Sequence, residues 1–176
     1  MKITYYVASS LDGYIAKTDG DVSWLDSLDI SMADTGYEEF YATVDGIVMG
    51  RKTYEMIVTF GKWPYGDKPT WVCSSKTVIP MKGCNLQMGN SPEEVYKAAT
   101  KINITHLWLV GGGSLASSLI TDRLLTHFYL SLMPIILGDG IKLFSHIPLT
   151  IKTTIDNEKA HKSGMVQLDY HIDYVE

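Results

Sequence analysis

The 176-residue chain carries 15 Lys and Arg against 20 Asp and Glu, a formal net charge of −5, and 45% of its residues are hydrophobic. This length predicts one domain over residues 1–176, with a core that needs no disulfide or metal, and no metal site is expected. The negative charge argues against nucleic acid as a partner. The absence of a long apolar run and of a CxxC pair predicts a cytoplasmic protein with no membrane partner.

The first half of the chain alternates short apolar runs with helical patterns. Residues 3–8 predict a buried strand, and residues 34–44 predict a helix with an aromatic face. A second buried strand is expected at 46–49, followed at once by a helix. Residues 70–73 predict a third strand, which ends at the polar residues 74–76. This order is typical of an α/β fold.

The second half continues the same alternation. Two short strand candidates occupy 78–79 and 86–88. Ser91, Pro92 and two glutamates predict a helix from 92 to about 102. An apolar run at 107–110 then ends in three glycines, after which helical spacing resumes with Ser114 as the expected N-cap.

Three further strands complete the prediction. Residues 127–133 are expected to form a central strand, and residues 150–156 and 165–175 are expected to pair through a turn at 162–164. Strict alternation of apolar and polar residues in the last segment predicts a half-buried, antiparallel strand.

Three of the predicted strand ends carry groups that bind anions, and in a parallel sheet they share one edge. Helix N-termini with uncovered amides suit the pyrophosphate of a dinucleotide, and hydroxyl and basic groups suit a 2′-phosphate, which favours NADPH over NADH. A turn that only lets strand and helix pack closely also explains the glycines. The candidate cofactor residues on these three turns are Gly50, Arg51, Lys52, Thr53, Ser74, Ser75, Lys76, Val110, Gly111, Gly112, Gly113, Ser114 and Leu115.

Several motifs, in matching order and spacing, resemble the dihydrofolate reductase-like superfamily. They are Val7-Ala8, Ser10-Leu11-Asp12-Gly13-Tyr14-Ile15-Ala16, Gly50-Arg51-Lys52-Thr53-Tyr54-Glu55, Ser74-Ser75 and Gly111-Gly112-Gly113. More closely, the chain resembles the RibD C-terminal domain family, the reductase branch of riboflavin biosynthesis. The resemblance implies a mainly parallel eight-stranded sheet flanked by helices, with an antiparallel C-terminal strand.

The resemblance also implies site roles. Ala8 and Ile15 would abut the nicotinamide of NADPH, residues 17–24 would cover it, and Gly111 and Gly112 would be joined by a cis peptide. Homodimers are frequent in the superfamily, so a homodimer is a further expectation.

The resemblance assigns the catalytic groups to Asp34, on the first helix, and Ser131, on a strand. Capping of that helix is an equally good explanation of Asp34. Asp12 and Glu38 are reserve candidates for the carboxylate.

These observations predict an NADPH-dependent reductase that transfers hydride to a C=N or C=O bond of a small heterocycle, either pterin-like or ribosylaminopyrimidine-like. The protein would supply orientation and a proton donor. A non-catalytic nucleotide-binding regulatory or scaffold domain is the alternative. A P-loop enzyme is disfavoured because no Gly-Lys-Ser/Thr follows the glycines.

Overall fold

The computed structural model describes residues 1–174 of the protein. The strands are β1 (Lys2–Ser10), β2 (Tyr14–Ala16), β3 (Gly46–Gly50), β4 (Thr70–Cys73), β5 (Leu86–Gly89), β6 (His106–Gly111), β7 (His127–Met133), β8 (Ile141–Lys142), β9 (Lys152–Ala160) and β10 (Val166–Asp173). The α-helices are α1 (Tyr37–Thr43), α2 (Arg51–Val58), α3 (Pro92–Lys101) and α4 (Gly113–Thr121), and 3-10 turns occupy Ser23–Leu25 and Met32–Thr35.

Eight of the strands form one sheet in the order β5-β4-β3-β6-β1-β7-β10-β9. The strands from β5 to β7 run parallel, whereas β10 is antiparallel to both β7 and β9. The predicted fold class, a mainly parallel eight-stranded sheet with an antiparallel C-terminal strand, is therefore confirmed. A separate ribbon joins β2 to β8, neither of which the sequence pattern predicted.

Alternation along the central strands sends neighbouring side chains to opposite faces of the sheet. In β6, Leu107 and Leu109 pack on the face that α3 and α4 cover, whereas Trp108 packs with Phe40 of α1 and Tyr54 of α2. These side chains are all buried. Burial on both faces explains why the central strands read as continuous apolar runs rather than as alternating patterns.

The first helix is shorter than the predicted 34–44 because Gly36 adopts a left-handed conformation, with φ of 65°, and interrupts it. The residues before it form a separate 3-10 turn, whose N-cap Ser31 accepts a hydrogen bond from the Asp34 amide. Asp34 therefore belongs to this turn and does not cap α1. The predicted aromatic face is confirmed, since Phe40 is buried and Glu38 and Glu39 are exposed.

The prediction of a helix from 92 to about 102 is confirmed by α3. Ser91 caps α3 by accepting from the Glu94 amide, and Pro92 is its first residue. The strand expected at 78–79 is wrong: residues 77–81 form no strand and Ile79 is 87% exposed. Pro80, which cannot donate a backbone hydrogen bond, follows this short run and is the physical reason.

The last two strands pair as predicted, although β9 extends to Ala160, beyond the expected 150–156. The closing strand ends at Asp173, and residue 175 of the predicted segment lies outside the described residues. Within residues 1–174, no helix has the length and apolar character needed to cross a membrane.

Candidate active site

Three parallel strands bring the predicted anion-binding turns to one edge of the sheet. β3 lies between β4 and β6, and Gly50 is in register with Cys73 while Met49 is in register with Gly111. The helix α2 begins directly after β3, and α4 begins two residues after β6. The structure therefore brings together residues that are about 60 positions apart in the sequence.

The two helix N-termini are in contact through their glycines. A Cβ atom placed on Gly50 would lie 3.9 Å from the Gly112 amide nitrogen, and a Cβ atom placed on Gly111 or Gly112 would lie 3.6 Å from Thr53 Oγ1. No described side chain caps either helix. The expected cis peptide joins Gly111 and Gly112. The result is a surface of backbone at the positive ends of two helix dipoles, which is suited to a pyrophosphate.

The expectation that Ser114 caps α4 is wrong. The cap is Gly112, whose backbone is extended, and the helix begins at Gly113. The Ser114 hydroxyl instead lies 3.1 Å from the Ser145 hydroxyl. Gly113 is required because a Cβ atom there would lie 2.2 Å from the Lys142 carbonyl oxygen. Residues 142–145 therefore border this corner, a proximity for which the sequence contains no signal.

The polar groups of the edge are partly engaged with one another. Arg51 forms an ion pair with Glu55 one turn further along α2. Ser74 Oγ accepts from the Lys76 amide and donates to the Lys76 carbonyl, both at 2.9 Å. Ser75, Lys76 and Lys52 are exposed. This side of the edge offers cations and hydroxyls to solvent.

The two residues expected beside the nicotinamide are half-buried. Ala8 of β1 pairs with Ser131 of β7, and Ile15 lies on β2. Gly20, within the 17–24 segment, packs closely on α2, since a Cβ atom there would lie 2.5 Å from Met56 Cε. Trp24 at the end of that segment is buried beside Met133 and Met165.

A groove of about 430 Å³ lies between the 33–43 segment and the strands β1, β7, β9 and β10. Its charged and amide lining consists of Lys2, Asp34, Glu39, Lys159, Gln167 and Asp169. Burial raises the pKa of Asp169. The mixture of donors and acceptors suits a polar heterocycle better than an apolar ligand.

The candidate catalytic groups occupy different places. Asp34 is exposed at the groove, and its carboxylate accepts a 2.7 Å hydrogen bond from Ser31 Oγ. Ser131 is only 3% exposed and contacts the groove residue Gln167 at 3.4 Å. Gln167, which sequence reasoning did not identify, contacts Ser131 and donates to the carbonyl oxygen of Thr35, the residue after Asp34.

Asp12 lies in the turn after β1 and joins that turn to residues 137 and 138. Its carboxylate accepts from Ser10 Oγ at 2.6 Å and from the amides of Leu137 and Gly138 at 3.1 and 2.7 Å. The Ser10 hydrogen bond, aided by these amides, lowers the pKa of Asp12. Asp12 is not among the described residues that line the groove.

Residues 1–166 match the RibD C-terminal domain family. The Bacillus subtilis protein YwjB is 32% identical over 171 residues, covering 96% of this chain and 97% of YwjB. Among solved structures, a proposed riboflavin biosynthesis protein from Shewanella sp. PV-4 has a TM-score of 0.87 and 28% identity, covering 99% of this chain and 100% of that one.

More distant structures share the fold. A Thermotoga maritima deaminase and 5-amino-6-(5-phosphoribosylamino)uracil reductase has a TM-score of 0.72 and 15% identity, with 98% of this chain covering 56% of that protein. Dihydrofolate reductase from Enterococcus faecalis, complexed with NADP(H), has a TM-score of 0.67 and 18% identity, covering 98% and 97% of the two chains. The chain belongs to the RibD C-terminal domain family and has the dihydrofolate reductase-like fold.

Proposed function

We propose that residues 1–176 act as one NADPH-dependent reductase domain, which reduces a C=N or C=O bond of a pterin-like or ribosylaminopyrimidine-like heterocycle. The observation that carries this proposal is the contact between the N-terminus of α2 and the glycine turn before α4. Two adjoining helix N-termini present amides to both phosphates of a dinucleotide. The family membership and the reductases among the structural neighbours support the same reading.

The residues present at this edge fit NADPH. Gly50, Gly111 and Gly112 have no side chains, so an anion can approach the backbone closely. Arg51, Lys52 and Thr53, with the amides of residues 112–115, are proposed to hold the pyrophosphate. Residues 74–76 are proposed to bind the 2′-phosphate, and a bound NADPH would supply the hydride.

The substrate is proposed to bind in the groove that Asp34 and Gln167 line. The methyl group of Ala8 and the side chain of Ile15 would leave room for the nicotinamide and orient it. Asp34 is proposed to hold a proton at its carboxyl group for the reduced heterocycle, since it is the candidate acid that lines the groove. Ser131 is proposed to orient the substrate by hydrogen bonding.

The direct test measures NADPH binding by fluorescence titration and NADPH oxidation in the presence of dihydrofolate, simple pteridines and ribosylaminopyrimidines. We expect binding, and oxidation with one of these classes. Binding without oxidation would favour the non-catalytic nucleotide-binding alternative. Absence of NADPH binding would contradict both readings.

A further inference from the structure

Gln167 is a buried amide that lines the groove. It lies on β10 in register with Ser131 of β7 and Lys159 of β9, and it is 5% exposed. Its Nε2 atom donates to the Thr35 carbonyl oxygen at 2.6 Å and lies 3.4 Å from Ser131 Oγ, while its Oε1 atom lies 2.8 Å from Nε2 of His161. Both polar atoms of the amide are therefore engaged.

The Thr35 carbonyl oxygen accepts a second hydrogen bond, which is partly buried. The hydroxyl of Tyr6, on β1, donates to it at 2.9 Å. The Tyr6 ring is fixed by stacking on Phe40 and Tyr129, with centroid distances of 4.5 and 4.9 Å. Burial raises the pKa of Tyr6 to about 12, so this hydroxyl remains a donor at neutral pH. Donors from two different strands thus hold one carbonyl.

This carbonyl directly follows the candidate acid. Asp34 and Thr35 end the short 3-10 turn, and Gly36 then changes the chain direction. Within the turn, Asp34 is held only locally, through Ser31. The position of the Asp34 carboxyl relative to the sheet therefore depends on the hydrogen bonds that Thr35 accepts.

The partners of Gln167 also fix the direction of its amide. A carbonyl group can only accept, so Nε2 must face Thr35 and Oε1 must face His161, which then carries a proton on its Nε2. The second N–H of the amide faces Ser131 Oγ. Ser131 consequently accepts from Gln167, and its own hydrogen is left for another acceptor.

We propose that Gln167 is a positioning residue, which joins the Asp34 segment to Ser131 and sets the separation between the Asp34 carboxyl group and the Ser131 hydroxyl. The inference rests on the proposed function, because it assigns both groups to the substrate. Removing the amide would weaken the attachment of the 31–36 segment to the sheet, because the Thr35 carbonyl would keep Tyr6 as its remaining donor.

The experiment compares Gln167→Met, which keeps length and removes the hydrogen bonds, with Tyr6→Phe, which removes the second donor. Gln87→Met, on the exposed edge strand β5, is the matched control. Hydrogen exchange of residues 31–36 is measured first. We expect Gln167→Met to accelerate it about tenfold, Tyr6→Phe to act in the same direction, and Gln87→Met to leave it unchanged.

Kinetics with the substrate found above supply the second readout. In Gln167→Met we expect kcat to fall about tenfold or more, while the Kd for NADPH stays within about twofold of the wild-type value. If amide hydrogen exchange of residues 31–36 is unchanged in a folded Gln167→Met protein, the proposal is overturned. Faster hydrogen exchange with an unchanged kcat would also overturn it.

Failure of the proposed function has a different signature. It would appear as a wild-type protein that does not oxidise NADPH, and it would remove the catalytic meaning of the proposal. The exchange comparison would still decide whether Gln167 holds the 31–36 segment. If Gln167→Met does not fold, Gln167→Leu removes the same hydrogen bonds with a shorter side chain, and the same outcomes apply to it.

Discussion

The proposed cofactor edge and the proposed substrate groove are built in opposite ways. The cofactor edge, formed by the turns after β3, β4 and β6, consists of three strand-to-turn units, each contiguous in the sequence. At the groove, Gln167 belongs to a set of hydrogen-bonded residues, Tyr6, Thr35, Ser131 and Gln167, which come from four separate parts of the chain. Local motifs therefore predict the first region, whereas only tertiary packing assembles the second.

The two regions also differ in which of their groups are accessible to a ligand. At the cofactor edge the missing side chains of Gly50, Gly111 and Gly112 leave the backbone accessible. At the groove, the buried Gln167 amide is engaged by hydrogen-bond partners, whereas Asp34 is exposed. Substitutions should consequently affect binding at the edge and turnover at the groove.

The largest expected effect tests the groove. Asp34→Asn removes the proposed proton donor while keeping the shape of the side chain, so kcat should fall by about 10²–10⁴-fold with little change in the Kd for NADPH. Steady-state kinetics and a fluorescence titration measure the two quantities. Asp12→Asn is the comparison, and a larger loss of kcat there than in Asp34→Asn would transfer the acid role to Asp12.

The next prediction distinguishes, within the cofactor edge, a glycine needed for folding stability from a glycine needed for NADPH binding. A methyl group on Gly113 would clash with the Lys142 carbonyl, whereas one on Gly112 meets Thr53 Oγ1 at an ordinary 3.6 Å. Gly113→Ala should therefore lower the free energy of unfolding by about 3 kcal/mol, a Tm decrease of about 6–12 °C. Gly112→Ala should remain folded and bind NADPH more weakly.

Thermal unfolding and NADPH titration of both variants check this pair. A Gly113→Ala protein with the wild-type Tm would show that residues 142–145 move aside easily. An unaltered NADPH affinity in folded Gly112→Ala would favour a turn that serves packing alone.

A smaller effect concerns the choice of cofactor. Lys76→Met should weaken NADPH binding about tenfold and leave NADH binding unchanged, since one charge-assisted hydrogen bond contributes about 1.5–3 kcal/mol and this lysine is exposed. Titrations with both cofactors, with exposed Lys82→Met as control, measure the difference. Equal losses for NADPH and NADH would remove residues 74–76 from the 2′-phosphate site.

The smallest effect concerns two residues that line the groove, since His106 Nε2 is 2.8 Å from Thr4 Oγ1. Burial, with the charge of Lys2, lowers the pKa of His106. The unfolded chain, with a histidine pKa of about 6.5, therefore binds the proton first as the pH falls. The stabilisation is complete above about pH 6.5 and declines below it, by at most about 1.4 kcal/mol per pH unit.

Urea unfolding between about pH 7 and pH 5 tests this sign. His106→Gln should flatten the decline in the free energy of unfolding, and the exposed His146→Gln should not. An identical slope in wild type and His106→Gln would contradict the assignment. A free energy of unfolding that rises as the pH falls would reverse the predicted direction of the His106 pKa shift.

The sequence by itself determined the parallel core and the positions of its turns. Continuous apolar runs, abrupt glycines and the Ser91-Pro92 helix start are signals that act over a few residues, so they survive without knowledge of the fold. Family motifs added the sheet topology and the cis peptide between Gly111 and Gly112. The helix over 34–44 was predicted too long because the left-handed Gly36 reflects a local backbone choice that periodicity does not encode.

Tertiary structure alone decided the hydrogen-bond network at the groove and the packing of residues 142–145 on α4. Gln167 reads in the sequence as an ordinary polar position of an alternating strand, and only the register of β10 with β7 and β9 buries it beside Ser131 and Thr35. Hydrogen bonds between residues more than 100 positions apart leave no periodic trace along the chain. Their partners become visible only when the sheet order brings the strands together.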